Sequence, residues 1–163
     1  MLVFVGIGLC AASLLLNIVG LAIPYWIYAS VGDIKSYSGL WSSCGSLGGE
    51  TECAKIPDIA LNDAYKATRA MEILGMLLIL VALVVVLLKQ FVMKDKALLP
   101  KLGAGCAIFA GILMIIGTII FATMDGIESS NLHAGFALCI IAGVIGIAAG
   151  VVMFLASGSS NDG

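Results

Sequence analysis

The sequence predicts an all-α transmembrane bundle of four helices with one large outer loop closed by a disulfide. Three observations predict it. Of 163 residues, 61% are hydrophobic and only 11% are charged. Four long stretches carry no charge. The two cysteines outside those stretches share one polar interval. A water-soluble domain needs about 25% charged residues, so lipid is the natural solvent for most of this surface. One compact domain, 1–163, fits the length, and a net charge of −2 is too small to argue for nucleic acid as a partner.

Residues 2–23, 73–88 and 102–124 are uncharged, and 132–157 hold only His133. At about 1.5 Å per residue, roughly 20 helical residues cross a hydrocarbon core of about 30 Å. Backbone groups in lipid must be satisfied within their own segment, so each stretch is a helix. The expected spans are 2–24, 71–89, 102–124 and 134–156, the second starting near Met71 with Lys89 snorkelling at its end. A signal peptide would open on basic residues. This sequence opens Met1-Leu2-Val3, and its apolar run is longer than a signal core.

Charge orients the spans. The link at 90–101, counted with Lys89 at its edge, sets Lys89, Lys94, Lys96 and Lys101 against Asp95, a balance of +3. The 25–70 loop sets Lys35, Lys55, Lys66 and Arg69 against Asp33, Glu50, Glu52, Asp58 and Asp63, a balance of −1. Short basic loops stay in the cytoplasm. The link, the N-terminus and the 157–163 tail are therefore expected inside, and the 25–70 and 125–133 loops outside. Cys44 and Cys53 lie in the outer loop, where disulfides persist. Their bond would close a ring of about ten residues, worth roughly 2.5–3 kcal/mol in the loop-entropy model. Cys10, Cys106 and Cys139 sit within spans and read as small packing residues, with Cys106 also near enough the cytoplasmic end for palmitoylation.

Helices in lipid approach closely through small residues. In the first span Gly6, Cys10, Ser13, Asn17, Gly20 and Pro24 recur at steps of four and three. Gly135, Cys139, Ala142, Gly146, Ala149 and Met153 do the same in the fourth, and Gly103, Ala107, Ala110 or Gly111, and Gly117 line the third. This 3.5-residue repeat predicts a left-handed bundle. The second span offers only Gly75 and Ala82, so it is expected to face lipid more. Asn17 is the one strongly polar side chain expected in mid-membrane, with no charged partner there. It reads as an interhelical hydrogen bond, with a transport role as the alternative.

Within the outer loop, 25–28, 37–41 and 52–56 read as short strands. Gly48-Gly49 suits a hairpin turn, Pro57-Asp58 marks a turn, and 61–69 is expected as an outer helix leading into the second span.

Trp26, then Gly39-Leu40-Trp41, two residues, Cys44, seven residues, an acid and Cys53 resemble the signature of claudins. Ala-Ile-Pro-Tyr-Trp at 22–26 and Thr68-Arg69-Ala70-Met71 resemble the flanks of that loop in the same family. The layout also fits the wider group of claudins, peripheral myelin and epithelial membrane proteins, and calcium-channel gamma subunits. The resemblance implies a left-handed four-helix bundle under a small extracellular antiparallel β-sheet, four strands from the long loop and one from the short. It implies that Trp41, with Gly39 and Leu40, wedges between sheet and helix tops, that Cys44 and Cys53 staple two strands, and that Arg69 braces the wedge. Simple interfacial anchoring stays open for Trp26 and Trp41. The sequence departs from the family in ending Asn161-Asp162-Gly163 rather than in a terminal valine, and in a short second outer loop.

Tetraspanins carry their large loop between the third and fourth spans, and connexin-like channels need cysteines in both outer loops. No Cys-x-x-Cys, nucleophile–base pair or phosphate loop occurs, and His133 is the only histidine. No enzyme, metal or cofactor is expected. Two functions remain. One is a claudin-like protein of cell–cell contacts in the plasma membrane. It would form or regulate a paracellular barrier or channel by associating with copies in the same membrane and across the gap. Asp33, Glu50, Glu52 and Asp58 would then favour cations, unless they are only a solvated face. The other is an accessory subunit bound to another membrane protein.

Overall fold

The computed structural model describes residues 1–94 and 98–159. Asp95 and Lys96 of the expected link, and Asn161-Asp162-Gly163, lie outside the described residues. The first helix, α1 (Leu2–Ala22), ends where Pro24 disfavours helical backbone at the residue before it, leaving Ile23 extended at φ −77°, ψ 141°. Four strands follow: β1 (Ile27–Val31), β2 (Ile34–Ser38), β3 (Ser42–Leu47) and β4 (Glu50–Lys55). They form one antiparallel meander in chain order. Gly48 and Gly49 turn the last hairpin at φ +60° and +93°, backbone that a side chain would strain.

The strand positions differ from the sequence reading. Tyr25 and Trp26 precede β1, β2 ends at Ser38, and Gly39–Trp41 form a connection rather than a strand end. Residue propensity alone does not mark β3, though the resemblance implied a strand at Cys44. Its Ser-Ser-Cys-Gly-Ser-Leu lacks the branched and aromatic residues that mark strands, and it is held by pairing on both sides. Of the fifth strand implied for the short loop, one isolated bridge forms among the described residues, between Ile27 and Leu132.

After a short 3-10 turn at Asp58–Ala60 the chain enters α2 (Asp63–Phe91). Asn62 caps it, its side chain accepting from the Tyr65 N–H at 2.8 Å. The outer helix expected at 61–69 and the second span are thus one continuous helix. α3 (Leu98–Ala122) and α4 (Ala134–Ser159) complete the bundle. All four helices are long and apolar enough to cross a membrane.

Helix α1 packs on α4, α4 on α3 and α3 on α2, while α1 meets α2 less extensively. The buried stripe of α1 is Gly6, Cys10, Ser13, Asn17, Gly20 and Leu21. It faces Cys139, Ala142, Gly146 and Met153 of α4. The Ser13 hydroxyl donates to Ala142 O at 2.7 Å, and a Cβ on Gly6 would lie 2.5 Å from Met153 Cγ. The second helix faces lipid more than α3 and α4, whose apolar windows are 44% and 39% buried, but not more than α1. In α2, 28% of the apolar window is buried, against 22% in α1. Both helices supply small residues where α2 meets α3: a Cβ on Gly75 of α2 would meet Met114 Cγ at 2.7 Å, and one on Gly103 of α3 would meet Val86 Cγ2 at 2.8 Å.

Candidate functional site

Two side-chain clusters fill the bundle. The one nearer the sheet holds Leu21, Trp26, Leu40, Phe121, Met124 and Cys139, and it joins the strands to the helices. Trp26 is fully buried there. Its indole N–H donates to Gly20 O at 2.7 Å, and its ring stands edge-on to Phe121 at 4.8 Å. Beneath it lies Gly135, where a Cβ would collide with the indole. The backbone continues the junction. The Gly135 N–H, in the first turn of α4 where helix donors lack partners, reaches Tyr25 O at 2.7 Å. The His133 N–H reaches Trp26 O at 2.9 Å, and the Trp26 N–H reaches Ser38 O at 2.9 Å. Interfacial anchoring is therefore not the role of Trp26: its only polar atom finds a partner inside the bundle.

Of the three residues implied for the wedge, Leu40 fills it and Trp41 lies at its rim. Leu40 is fully buried between the strands and the helix tops, whereas Trp41 is 42% exposed. Gly39 lets the connection close onto the end of α1, since a Cβ there would lie 2.6 Å from Pro24 Cα. Arg69, in the first turns of α2, holds both neighbours. Its guanidinium donates to Leu40 O, from Nε at 2.8 Å and also from Nη2, and its Nη1 meets Asp58 Oδ1 at 3.0 Å. Its Cζ lies 4.5 Å from the Trp41 ring centre and 5.6 Å from that of Tyr65. The Tyr65 hydroxyl donates to Gly39 O. Asp58 is 88% exposed on the far side of its ion pair, so that pair adds little; the bonds to Leu40 O matter more. Arg69→Ala is expected to destabilise the protein by about 2 kcal/mol through the loss of charge-assisted bonds to a buried carbonyl. Arg69→Lys, which cannot form the fork or the flat stack, should recover less than half of that. Thermal unfolding in bicelles checks both, and an Arg69→Ala protein as stable as the wild type would refute the bracing role.

The sheet is stapled where Cys44 faces Cys53, joined by a disulfide across the β3–β4 pair. Strand alternation sorts the charges. Val31, Ile34, Leu47 and Glu50 form one cross-strand row. Glu52 shares their face, which lines an open groove with Ile34, Gly45, Leu47 and Ala54. Lys35 and Lys55 project from the opposite face with the disulfide. Asp33 sits in the β1–β2 turn. The structure thus brings Asp33, Glu50 and Glu52 toward one end of the sheet, while Asp58 is set apart, bound to Arg69.

One residue was missed from the sequence. Asn17 does have an ionisable partner: its Nδ2 donates to Glu72 Oε2 at 2.7 Å, and both side chains are fully buried. Glu72 lies one position before the uncharged run that marked the second span. The unbroken start of α2 at Asp63 carries it inside the bundle.

The sequence model of the PMP-22/EMP/MP20/Claudin family matches residues 1–156. Among curated proteins, Claudin-1 of Mus musculus and Claudin-1 of Rattus norvegicus are each 39% identical to this chain over 77 residues. That stretch covers 42% of this chain and 36% of each relative, so the alignment spans little more than a third of the curated proteins.

Proposed function

Because the chain belongs to the PMP-22/EMP/MP20/Claudin family, we propose that it is a multi-pass plasma-membrane protein of cell–cell contacts. Its sheet associates with copies beside it and across the intercellular gap, and so forms or regulates a paracellular barrier or channel. The sheet lies outside and both termini lie in the cytoplasm. The lysine-rich link at the opposite end of the bundle and the disulfide in the sheet support that orientation.

The observation that carries the reading is the row at the sheet's far end. Val31, Ile34 and Leu47 are 79%, 55% and 64% exposed side by side, next to the turns most distant from the helices. A stapled sheet anchored through Trp26 holds these apolar side chains out in water, where a contiguous apolar group marks a contact surface.

Expression in cells that lack junctions tests this. The protein should concentrate at contacts and change paracellular ion flow, and replacing Val31, Ile34 and Leu47 by aspartate should disperse it. Diffuse staining, unchanged flow and co-purification with a larger membrane protein would favour the accessory-subunit role instead. If ions pass along the acidic face, Glu50→Gln with Glu52→Gln should lower the cation-over-anion flow ratio about two-fold, the scale of a screened surface charge. An unchanged ratio would leave those acids as a solvated face.

A further inference from the structure

We propose that Glu72 and Asn17 form a proton-holding site between α1 and α2. In it Glu72 is a neutral carboxylic acid whose O–H donates to Asn17 Oδ1. The two side chains touch through one bond, Asn17 Nδ2 to Glu72 Oε2 at 2.7 Å. Among the described residues, two buried side-chain nitrogen or oxygen atoms lack a hydrogen-bond partner, and they are the other two oxygens of this same pair, Asn17 Oδ1 and Glu72 Oε1. With Glu72 ionised both atoms are acceptors, so neither can satisfy the other. One proton resolves both faults. It turns Glu72 Oε1 into a donor, supplies the bond that Asn17 Oδ1 lacks, and closes a two-bond ring of amide and acid. The proton comes from water onto the carboxylate, and no bond between heavy atoms changes.

Among the described residues the surroundings offer no free cation and one weak donor, the Cys139 thiol. Helices α1 and α4 contain no Asp, Glu, Lys, Arg or His, and the sole charged residue of α3, Lys101, lies at its far end. On α2 the nearest cation is Arg69, already committed to Leu40 O and Asp58. From α4 the Cys139 thiol lies 4.0 Å from Asn17 Nδ2 and also reaches Glu72, but a single weak S–H donor leaves Asn17 Oδ1 unpaired. Thr68 Oγ1 donates to Ala64 O and Gly117 O. The α3 backbone closes over the carboxyl: a Cβ on Gly117 would lie 3.1 Å from Glu72 Oε1. A proton needs no additional room, whereas water or a metal ion does. An isolated buried carboxylate is so unfavourable in an apolar interior that the group neutralises instead. The outcome is an uncharged clamp across the less extensive α1–α2 contact.

Infrared spectroscopy of the full chain in lipid nanodiscs at neutral pH, with 13C-carboxyl glutamate, tests this. The expected spectrum contains the carbonyl stretch of a protonated acid, which Glu72→Gln abolishes. Glutamine can both donate to and accept from Asn17, so that variant should fold. Carboxylate stretches alone would overturn the proposal. If Glu72→Gln failed to accumulate, the wild-type spectrum would still decide, because Glu50, Glu52 and Glu128, the other glutamates, are exposed to water. A second readout is double substitution. Asn17→Leu alone should lower thermal stability, and Asn17→Leu with Glu72→Leu should recover most of the loss, since removing both polar partners leaves nothing unpaired. No recovery would count against the paired ring.

Discussion

Trp26→Ala should lower the stability of the purified protein by about 3–5 kcal/mol, the range for truncating a large buried aromatic. The estimate rests on three losses. The indole leaves a cavity between Phe121 and Gly135 that the rigid helix ends cannot close. Gly20 O loses its donor in a buried place. The sheet loses its main apolar anchor to the bundle. Trp26→Phe separates these terms: it keeps most of the packing but not the hydrogen bond, so it should lie between the alanine variant and the wild type. Thermal unfolding in bicelles gives the ranking. A Trp26→Ala protein within 1 kcal/mol of the wild type, well below that range, would mean that the sheet is held elsewhere.

Cys44→Ser should destabilise the sheet by about 2.5–3 kcal/mol, the entropy released when a ring of this size opens in the loop model. Cys44 is buried while Cys53 is exposed on the edge strand, so the bond ties an otherwise open edge to a strand held on both sides. The helices do not depend on that bond. The expected result is a chain that still inserts but whose 25–70 loop is cut readily by protease and which reaches the cell surface poorly. Cys44→Ser with Cys53→Ser should behave alike, which excludes a stray thiol as the cause. Normal delivery with an intact, resistant loop would contradict the staple.

Much of this architecture is legible in the residues, because a lipid solvent leaves few choices. Long uncharged runs must be helices, and two cysteines alone in a polar loop find each other. The errors arise where one dimension of sequence hides three of structure. Glu72 escaped, although it lies within the expected 71–89 span, because a charge so near a span's end reads as facing water. The two tryptophans look equivalent in an interfacial loop. Only the bare Gly135 of α4 decides that Trp26 is seated and Trp41 stays at the surface beside Arg69. β3 shows only through the resemblance, not through its own residues, because its strand character lies in its neighbours.

The seat of Trp26 also imposes an order on biogenesis. Gly135 leaves the ribosome 109 positions after the tryptophan that rests on it. The hairpin of Cys44 and Cys53, nine positions apart, can pair and oxidise while the chain is still being made. Until the last helix has been threaded into the bilayer, that hairpin is held to the bundle only through α2, by Arg69 and Tyr65, and through the end of α1. A nascent chain halted before that moment would show the quality-control machinery of its compartment a bare indole, and the completed molecule would hide it. Delivery to the surface thus reports on the final insertion event.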